Sequence, residues 1–406
     1  MMQKEHFFLV TDYGVTADKE ELQTEGFQKA IEACKNAGGG EIVVPAGIYY
    51  IGSIRLYSNM TFHLLEGAKL YGSKDYRDYT DFHVPTTLRY VNDDDYIKAW
   101  HLPEYYIYAI ICAFEEENIT IVGEEDSLIN GQDCLDPNGE EQFRGPMGIV
   151  LSKCKNICLQ GYTFQNSANW SHQIDSCEHV RIEHLTILAG HDGLNLHHCS
   201  DIHVKFCRIE TGDDCFAGYD IQNLTVENCY LNTACNALRI GGSKILFENC
   251  LFEGPGHYPH ISEDTYDTHA VLKYYAMAAD AVQEDGKDIC LKNCQFCNVT
   301  KLFAYEHGKR EWMQDGRPIR SVTIEHADIS GISKESVFKG NGEAGELVLR
   351  DVTLSFEPKS GEASLLAIDD SISLILENVR CKERVCIKAE KNSKILMTQC
   401  VNLEIE

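Results

Sequence analysis

The sequence predicts an all-β protein that folds as a single right-handed parallel β-helix, a solenoid of stacked coils. Three observations support this prediction. Short segments that alternate polar and apolar residues recur along the chain, their spacing is close to 22 residues, and β-branched residues dominate their apolar positions. Coils of three short strands joined by turns have about this length, and stacking them about 4.8 Å apart buries one continuous core.

The repeated segments begin at regular positions. Between residues 156 and 244 the successive steps are 23, 22, 22 and 21 residues, and later steps of 44, 33 and 27 residues indicate coils that carry insertions. A leucine-rich repeat has a similar period, but its L-x-x-L-x-L signature is missing, so we reject that architecture. The segments begin at Asn118, Asn156, His179, Asp201, Asn223, Lys244, Asp288, Ser321, Glu346, Ser373 and Lys394.

The domain organisation follows from the absence of a linker. No segment rich in Pro, Gly or Ser interrupts the repeats, so we expect residues 1–406 to form one domain. Residues 1–50 are predicted to supply an N-terminal cap and the first coil, with a short capping helix over residues 24–35. Residues 251–287 hold the largest insertion, and we expect an inserted loop over the binding cleft, since solenoids build binding sites from loops on one face.

Composition restricts the classes of partner. With 63 Asp and Glu against 36 Lys and Arg, the formal net charge is −27, which opposes binding to nucleic acid and to long polyanions. No apolar run reaches the length of a membrane-spanning helix, and the first residues lack the apolar region of a secretory signal. We therefore expect a cytoplasmic protein without a membrane partner. Buried thiols are expected where a cysteine closes a repeat, at Cys207, Cys229, Cys250, Cys294 and Cys400.

Three aspartates near the ends of two repeats are the candidates for catalysis. Asp192 and Asp214 are 22 residues apart, one coil, so stacking is expected to place them at equivalent positions on neighbouring coils. Asp213 adjoins Asp214. Crowded carboxylates raise the pKa of at least one of them, which provides the protonated acid and the ionised base that glycoside hydrolysis requires. The alternative for Asp213 and Asp214 is a pair of solvated turn residues.

Other side chains are candidates for binding a sugar. No metal is predicted, because the histidines of residues 197–203 match no ligand spacing, and no other cofactor is expected. The binding candidates are Trp170 and His172 as a stacking wall, His257, Tyr258 and His260 as contacts to hydroxyl groups, and Arg239 as a cation for a carboxylate.

Several motifs form a combination that points to a family. They are Asp12-Tyr13-Gly14, residues 38–47 with three consecutive glycines, Asn166-Ser-Ala-Asn-Trp170, and Gly212-Asp213-Asp214. Together they resemble glycoside hydrolase family 28, the polygalacturonase and exo-pectinase family of β-helical inverting hydrolases. The resemblance extends from about Thr11 to Asp267. It implies that Asp213 is the general acid and that Asp192 and Asp214 together activate the attacking water.

The chain departs from this family at three motifs. The family's N-T-D motif falls on Gly190-His191-Asp192, which makes His191 a candidate for substrate binding. Its G-H-G motif falls on Cys235-Asn236-Ala237, so Asn236 replaces the histidine as a binding candidate. Its R-x-K motif has a counterpart only in Lys273, because Val271 replaces the arginine that would bind a uronate carboxylate.

These features predict an inverting glycoside hydrolase that is exo-acting on short uronic-acid-containing or related plant-glycan oligosaccharides. Exo action is favoured because inserted loops would block one end of the cleft. Two other functions stay open. A β-helical polysaccharide lyase would release an unsaturated product and depend on calcium or a basic residue, and a non-catalytic glycan-binding β-helix would keep its effect after the change Asp213→Asn.

Overall fold

The computed structural model describes residues 6–88, 94–100, 102–103, 107–276, 280, 282–308, 317–358 and 364–406. These residues form 33 strands and two α-helices, and the strand pairs between successive coils are parallel. The predicted right-handed parallel β-helix is thereby confirmed. Two compact units are distinguished, Met1–Ile209 and Glu210–Glu406. The prediction of a single domain stays a prediction.

The helices and the first strands have the following bounds: α1 (Thr24–Asn36), α2 (Asp94–Trp100), β1 (Phe7–Leu9), β2 (Gly40–Val44), β3 (Gly47–Ile51), β4 (Ile54–Arg55), β5 (Met60–Leu64), β6 (Ala68–Gly72), β7 (Ala109–Phe114), β8 (Glu117–Gly123), β9 (Leu128–Asn130), β10 (Met147–Ser152), β11 (Lys155–Gln160), β12 (Thr163–Gln165), β13 (His172–Asp175), β14 (Glu178–Glu183), β15 (Thr186–Ala189), β16 (Leu194–His197), β17 (Ser200–Lys205) and β18 (Arg208–Thr211).

The remaining strands are β19 (Phe216–Glu227), β20 (Tyr230–Thr233), β21 (Asn236–Glu248), β22 (Leu251–Glu253), β23 (Ala270–Leu272), β24 (Lys287–Lys292), β25 (Gln295–Cys297), β26 (Ala304–Glu306), β27 (Ser321–Ile332), β28 (Ser336–Lys339), β29 (Gly345–Phe356), β30 (Ser364–Ile368), β31 (Ile372–Ala389), β32 (Lys394–Thr398) and β33 (Val401–Ile405).

In the first unit, equivalent strands of successive coils pair in register. One ladder runs β1-β2-β5-β8-β11-β14-β17, and alternate residues of each strand point into the core. Each such buried side chain contributes about 1.5–3 kcal/mol of transfer free energy, so the alternation stabilises the coil it belongs to. One inward column of this ladder, buried throughout, consists of Ile42, Phe62, Ile121, Leu159, Ile182 and Val204.

The predicted capping helix is confirmed as α1. Its apolar face buries Phe27, Ala30, Ile31 and Cys34, which recur at the spacing of helical turns. The ring of Phe27 meets that of Tyr49 edge to face at 5.7 Å between centroids, a geometry that aromatic pairs favour. The helix therefore covers the apolar interior of the first coils.

The second unit continues the same pattern with unequal coil lengths. The ladder β19-β21-β24-β27-β29-β31-β32 aligns a buried column whose members follow the unequal steps read from the sequence. The loops accommodate most of the extra residues, and register shifts occur within the pairs β19–β21 and β27–β29. The buried column consists of Leu224, Ile245, Ile289, Val322, Leu347 and Leu374.

The segment 251–287 is not loop throughout, which corrects the prediction of one continuous inserted loop. Its first residues form β22, which pairs with β20 and β25, and β23 in its middle pairs with β21. Because both strands extend existing ladders, they belong to a coil, and the loop between them spans residues 254–269. Residues 277–279 and 281 lie outside the described residues. A position over a cleft stays a prediction.

All 18 cysteines are free thiols. Those predicted to line the core are buried at Cys207, Cys229, Cys250 and Cys294, where the thiols donate to backbone carbonyl oxygens. Cys400, near the end of the chain, is only half-buried, so its place in a buried stack is not confirmed. Among the described residues, no helix is both long enough and apolar enough to cross a membrane.

Candidate functional site

Asp213 and Asp214 lie in the turn between β18 and β19. Asp214 is 2% exposed, whereas the side chain of Asp213 is 15% exposed. Strict strand alternation would send neighbouring side chains to opposite faces, but a turn is free of that constraint. Here the backbone N–H of Asp214 donates to Oδ1 of Asp213 at 3.0 Å, so the two residues interact directly. They are therefore not a pair of solvated turn aspartates.

Both carboxylate oxygens of Asp214 accept hydrogen bonds from β21. Nδ2 of Asn236 donates to Oδ1 at 2.7 Å, and Nε of Arg239 donates to Oδ2 at 2.6 Å. The register explains the contact, because Phe216 pairs with Leu238, 22 residues later, and so sets Asp214 beside Asn236. Burial, and then the charge of Asp213, raise the pKa of Asp214, while Arg239 and Asn236 act in the opposite direction.

These contacts give two predicted binding residues a place beside Asp214. Asn236 is 2% exposed and its amide nitrogen donates to Asp214, so direct contact of this side chain with a sugar stays a prediction. Arg239, with 12% of its side chain exposed, binds Asp214 and does not serve only as a cation for a substrate carboxylate. The sequence could not show this, because Asp214 and Arg239 lie 25 residues apart and meet only through the coil register.

Two cations flank the ring of Tyr275. Cζ of Arg239 and Nζ of Lys273 each lie 5.3 Å from the ring centroid, within the range of a cation–π interaction. Burial raises the pKa of Tyr275. Sequence reasoning missed this tyrosine, although its position two residues after Lys273 was a usable signal. Lys273 is half-buried, and its contact with a substrate carboxylate stays a prediction.

The loop of residues 254–269 brings His260 to Asp213. Nε2 of His260 lies 3.7 Å from Oδ1 of Asp213, and the two side chains are 13% and 15% exposed. The main chain of the loop holds this arrangement, since the backbone N–H of His260 donates to the carbonyl oxygen of Thr265 at 2.8 Å. His260 was a candidate for sugar contact, and its position beside an aspartate was not expected.

His257 of the same loop contacts a buried acid. Its Nδ1 lies 2.6 Å from Oε2 of Glu210, whose side chain is 7% exposed, while 51% of the His257 side chain is exposed. Tyr258 next to it is half-buried. Glu210 was missed because it lies outside every motif of the sequence. Contacts of His257 and Tyr258 with a sugar stay predictions.

Within the first unit, Asp192 is 2% exposed. Nδ2 of Asn195, on β16, donates to its Oδ2 at 2.7 Å, which fixes one carboxylate oxygen. The adjacent His191 is buried and stacks on Phe143, with 5.3 Å between ring centroids and an interplanar angle of 11°. One face of the imidazole is therefore covered by protein. That Asp192 acts together with Asp213 and Asp214 stays a prediction from the sequence.

The predicted stacking wall of Trp170 and His172 is wrong. His172 is 0% exposed and its Nε2 lies 2.9 Å from the hydroxyl of Tyr162, while burial lowers its pKa to about 3. Trp170 is 6% exposed and packs in an apolar cluster that includes Val150. Both rings are enclosed by protein, so neither presents a face to a sugar. The coil step of about 22 residues is confirmed here, because His172 pairs with Leu194.

Three lysines lie close enough to His269 to affect its titration. The pKa of His269 is lowered to about 3, first by burial and then by the charges of Lys301, Lys273 and Lys334. Positive charge is therefore present near this site, although the chain as a whole carries a net charge of −27.

One cluster in the second unit has the residue types of a metal site. Ligand atoms of Asp213, Cys235 and His260 all lie within 4.8 Å of one another. However, burial raises the pKa of the Cys235 thiol, which disfavours the thiolate that binds metals. Nδ1 of His260 accepts a hydrogen bond from the backbone N–H of Glu263 at 3.2 Å, so the neutral ring carries its proton on Nε2. These donors do not suit a metal, and none is assigned.

Comparisons with known proteins agree with the predicted coil pattern. Residues 7–257 match the family model described as Rhamnogalacturonase A/epimerase, pectate lyase-like. A probable polygalacturonase of Vitis vinifera is 26% identical over 224 residues, which cover 52% of this chain and 44% of that protein. An exo-poly-alpha-D-galacturonosidase of Dickeya chrysanthemi is 46% identical over 72 residues, which cover 18% of this chain and 12% of that protein.

Among solved structures, a hyperthermoactive exopolygalacturonase from Thermotoga maritima has the same fold. The TM-score is 0.69 at 16% sequence identity, and the match covers 91% of this chain and 92% of that chain. The chain spans less than half the length of the two curated relatives it matches here. The resemblance to polygalacturonases is confirmed, at low identity. Because the family model covers more than half of its residues, the chain belongs to the rhamnogalacturonase A/epimerase, pectate lyase-like family.

Proposed function

We propose that this protein is an inverting glycoside hydrolase that releases sugars from the ends of short uronic-acid-containing or related plant-glycan oligosaccharides. The observation that carries the proposal is the unequal pair Asp213 and Asp214. The carboxyl group of Asp213 is half-buried and lies close to the imidazole of His260. The carboxyl group of Asp214 is buried and accepts hydrogen bonds from Arg239 and Asn236. Paired carboxyl groups in different environments are the requirement for acid and base roles at one pH.

The different environments of the two carboxyl groups support a division of roles between them. Asp213 retains access to solvent, so its carboxyl group can reach a leaving oxygen and donate a proton to it. Asp214 is the base in this proposal, because an attacking water can lose its proton only to an ionised carboxylate. Arg239 keeps this carboxylate ionised against the cost of burial. Asp192 is expected to share the activation of water, as the family resemblance implies.

The proposed substrate class follows from charge. The cations around His269 and Tyr275 favour a sugar that carries a carboxylate, while the net charge of −27 opposes the approach of a long polyanion. The names of the two curated relatives, a polygalacturonase and an exo-poly-alpha-D-galacturonosidase, support galacturonic acid as the sugar and exo action. A short acidic oligosaccharide satisfies both conditions.

The test is product analysis on defined oligogalacturonides labelled at the reducing end. Hydrolysis adds one water to the products, whereas a lyase adds none and creates a double bond that absorbs ultraviolet light. The expected result is stepwise release of single sugars from one end, with the inverted anomer appearing first in an NMR time course. Unsaturated products, or the retained anomer first, would contradict the proposal. Binding without any product would indicate a glycan-binding protein.

A further inference from the structure

The loop of residues 254–269 is tied to the coils at several points. The backbone N–H of Gly256 donates to the carbonyl oxygen of Tyr266 at 2.7 Å, which closes the loop on itself. The hydroxyl of Thr268 donates to the carbonyl oxygen of Thr233 on β20 at 2.6 Å. With the bond between the main chains of His260 and Thr265, these contacts give the His260 ring a defined position beside Asp213.

The tautomer of the neutral His260 ring is set by the main chain. A backbone N–H can only donate, so the bond from the N–H of Glu263 to Nδ1 requires a lone pair on Nδ1. The neutral ring then carries its proton on Nε2, and this N–H is the group that faces Oδ1 of Asp213. An imidazolium would lose the bond from Glu263, since both of its nitrogens are donors.

A small movement would bring Nε2 of His260 within hydrogen-bonding distance of Oδ1 of Asp213. Nε2 and Oδ1 are 3.7 Å apart, which is beyond a formed hydrogen bond. Catalytic hydrogen bonds are often long in structures without substrate and shorten in the complex. The contact needs to close by less than 1 Å to reach the usual range for an N–H···O bond.

We propose that His260 is a positioning residue that acts through Asp213, by donating its Nε2–H to the carboxylate that Asp213 becomes during the reaction. This inference rests on the proposed function. The proton of the Asp213 carboxyl group moves to the glycosidic oxygen as the C–O bond breaks, and the base takes a proton from the attacking water. His260 keeps its own proton throughout. Its hydrogen bond strengthens as negative charge develops on Asp213, so it stabilises the transition state more than the ground state.

Two substitutions of His260 separate this role from a structural one. His260→Asn keeps an oxygen that can accept from Glu263 but is too short to donate to Asp213, whereas the longer side chain of His260→Gln can reach it. We expect His260→Asn to lower kcat about 10- to 100-fold, the effect of losing a hydrogen bond to a charged group, with a much smaller change in KM. His260→Gln should recover most of the rate. Ile261→Ala, at an exposed neighbour, serves as the control.

The decisive measurement is how far the loss of rate in each variant depends on the leaving group of the substrate. Each variant is assayed on two uronides with the same sugar, one with a sugar leaving group and one with a nitrophenyl group, which departs with little help from an acid. The loss in His260→Asn should be large on the first and small on the second. Equal losses on both substrates, or no recovery in His260→Gln, would overturn the inference.

Asp213→Asn, assayed in parallel, separates this inference from the proposed function. If Asp213→Asn keeps the wild-type rate, the proposed function fails. If Asp213→Asn is inactive while His260→Asn is fully active, the assignment of His260 alone fails. Circular dichroism and the unfolding temperature confirm that each variant is folded before its rate is compared.

Discussion

Arg239 donates from Nε to Oδ2 of Asp214 over 2.6 Å, with 12% and 3% of the two side chains exposed. Nδ2 of Asn236 donates to the other carboxylate oxygen of Asp214, Oδ1, at 2.7 Å. The orientation of Asp214 is therefore set by β21. Burying two charges costs desolvation free energy, which their mutual attraction and hydrogen bonds offset. Removing one charge therefore leaves the other buried without compensation.

The first prediction concerns this ion pair. Arg239→Leu leaves the Asp214 carboxylate buried without its cation, and we expect the free energy of unfolding to fall by about 3–5 kcal/mol. Adding Asp214→Asn removes the unpaired charge and should restore part of the loss. Urea unfolding of the two single variants and the double variant measures the coupling. Additive losses would show that the contact does not stabilise the protein.

The second prediction concerns Lys273. Its ammonium group beside Tyr275 is expected to attract the carboxylate of a uronate, so Lys273→Ala should raise KM for an acidic oligosaccharide and leave KM for a neutral glycoside almost unchanged. Added salt should reduce the difference, because it screens charges over about 8–10 Å. Lys292→Ala is the matched control, since Lys292 forms surface ion pairs with Glu248 and Glu325. Equal changes on both substrates would argue against a role in charge recognition.

The third prediction concerns the buried imidazole of His172. Its pKa of about 3 in the folded protein lies below the ordinary value near 6.5, so only the unfolded chain takes up this proton as the pH falls between these values. The free energy of unfolding therefore decreases, by about 2 kcal/mol between pH 7 and pH 5 from His172 alone. His172→Gln should show a correspondingly smaller loss in urea unfolding at the two pH values.

The control for this measurement is His203→Gln, at an exposed histidine of β17. This variant should lose as much stability as the wild type between pH 7 and pH 5. His269, whose pKa is also lowered to about 3, is unchanged in both variants, so the difference isolates His172. An unaltered acid response in His172→Gln would show that His172 is not held neutral in the fold.

The fourth prediction concerns polymeric substrates. Because the net charge of −27 repels polyanions, we expect no fall in the viscosity of a polygalacturonate solution under conditions in which short acidic oligosaccharides are turned over. Exo action has the same consequence, since removal of terminal sugars shortens a polymer slowly. Viscometry with an endo-acting hydrolase as the positive control makes the test. Rapid loss of viscosity would contradict exo action on short substrates.

The coil register was predictable from the sequence, and several side-chain contacts were not. Alternation and the step of about 22 residues both depend on local pattern, which is why the offset of one coil between His172 and Leu194 was expected. The same pattern does not show which side chains the surrounding segments enclose, so the burial of His172 and Trp170 was missed. The approach of His260 to Asp213 depends on the path of a loop, which has no periodicity.

The central claim is that Asp213 donates the proton to the leaving group, and one measurement tests it most directly. The kcat of Asp213→Asn is compared with that of the wild type on a short acidic oligosaccharide. Removing general acid catalysis should lower kcat about 10²–10⁴-fold, and the fold should survive because the side chain is partly exposed. Retention of more than a tenth of the wild-type rate by a folded variant would contradict the assignment of Asp213 as the acid.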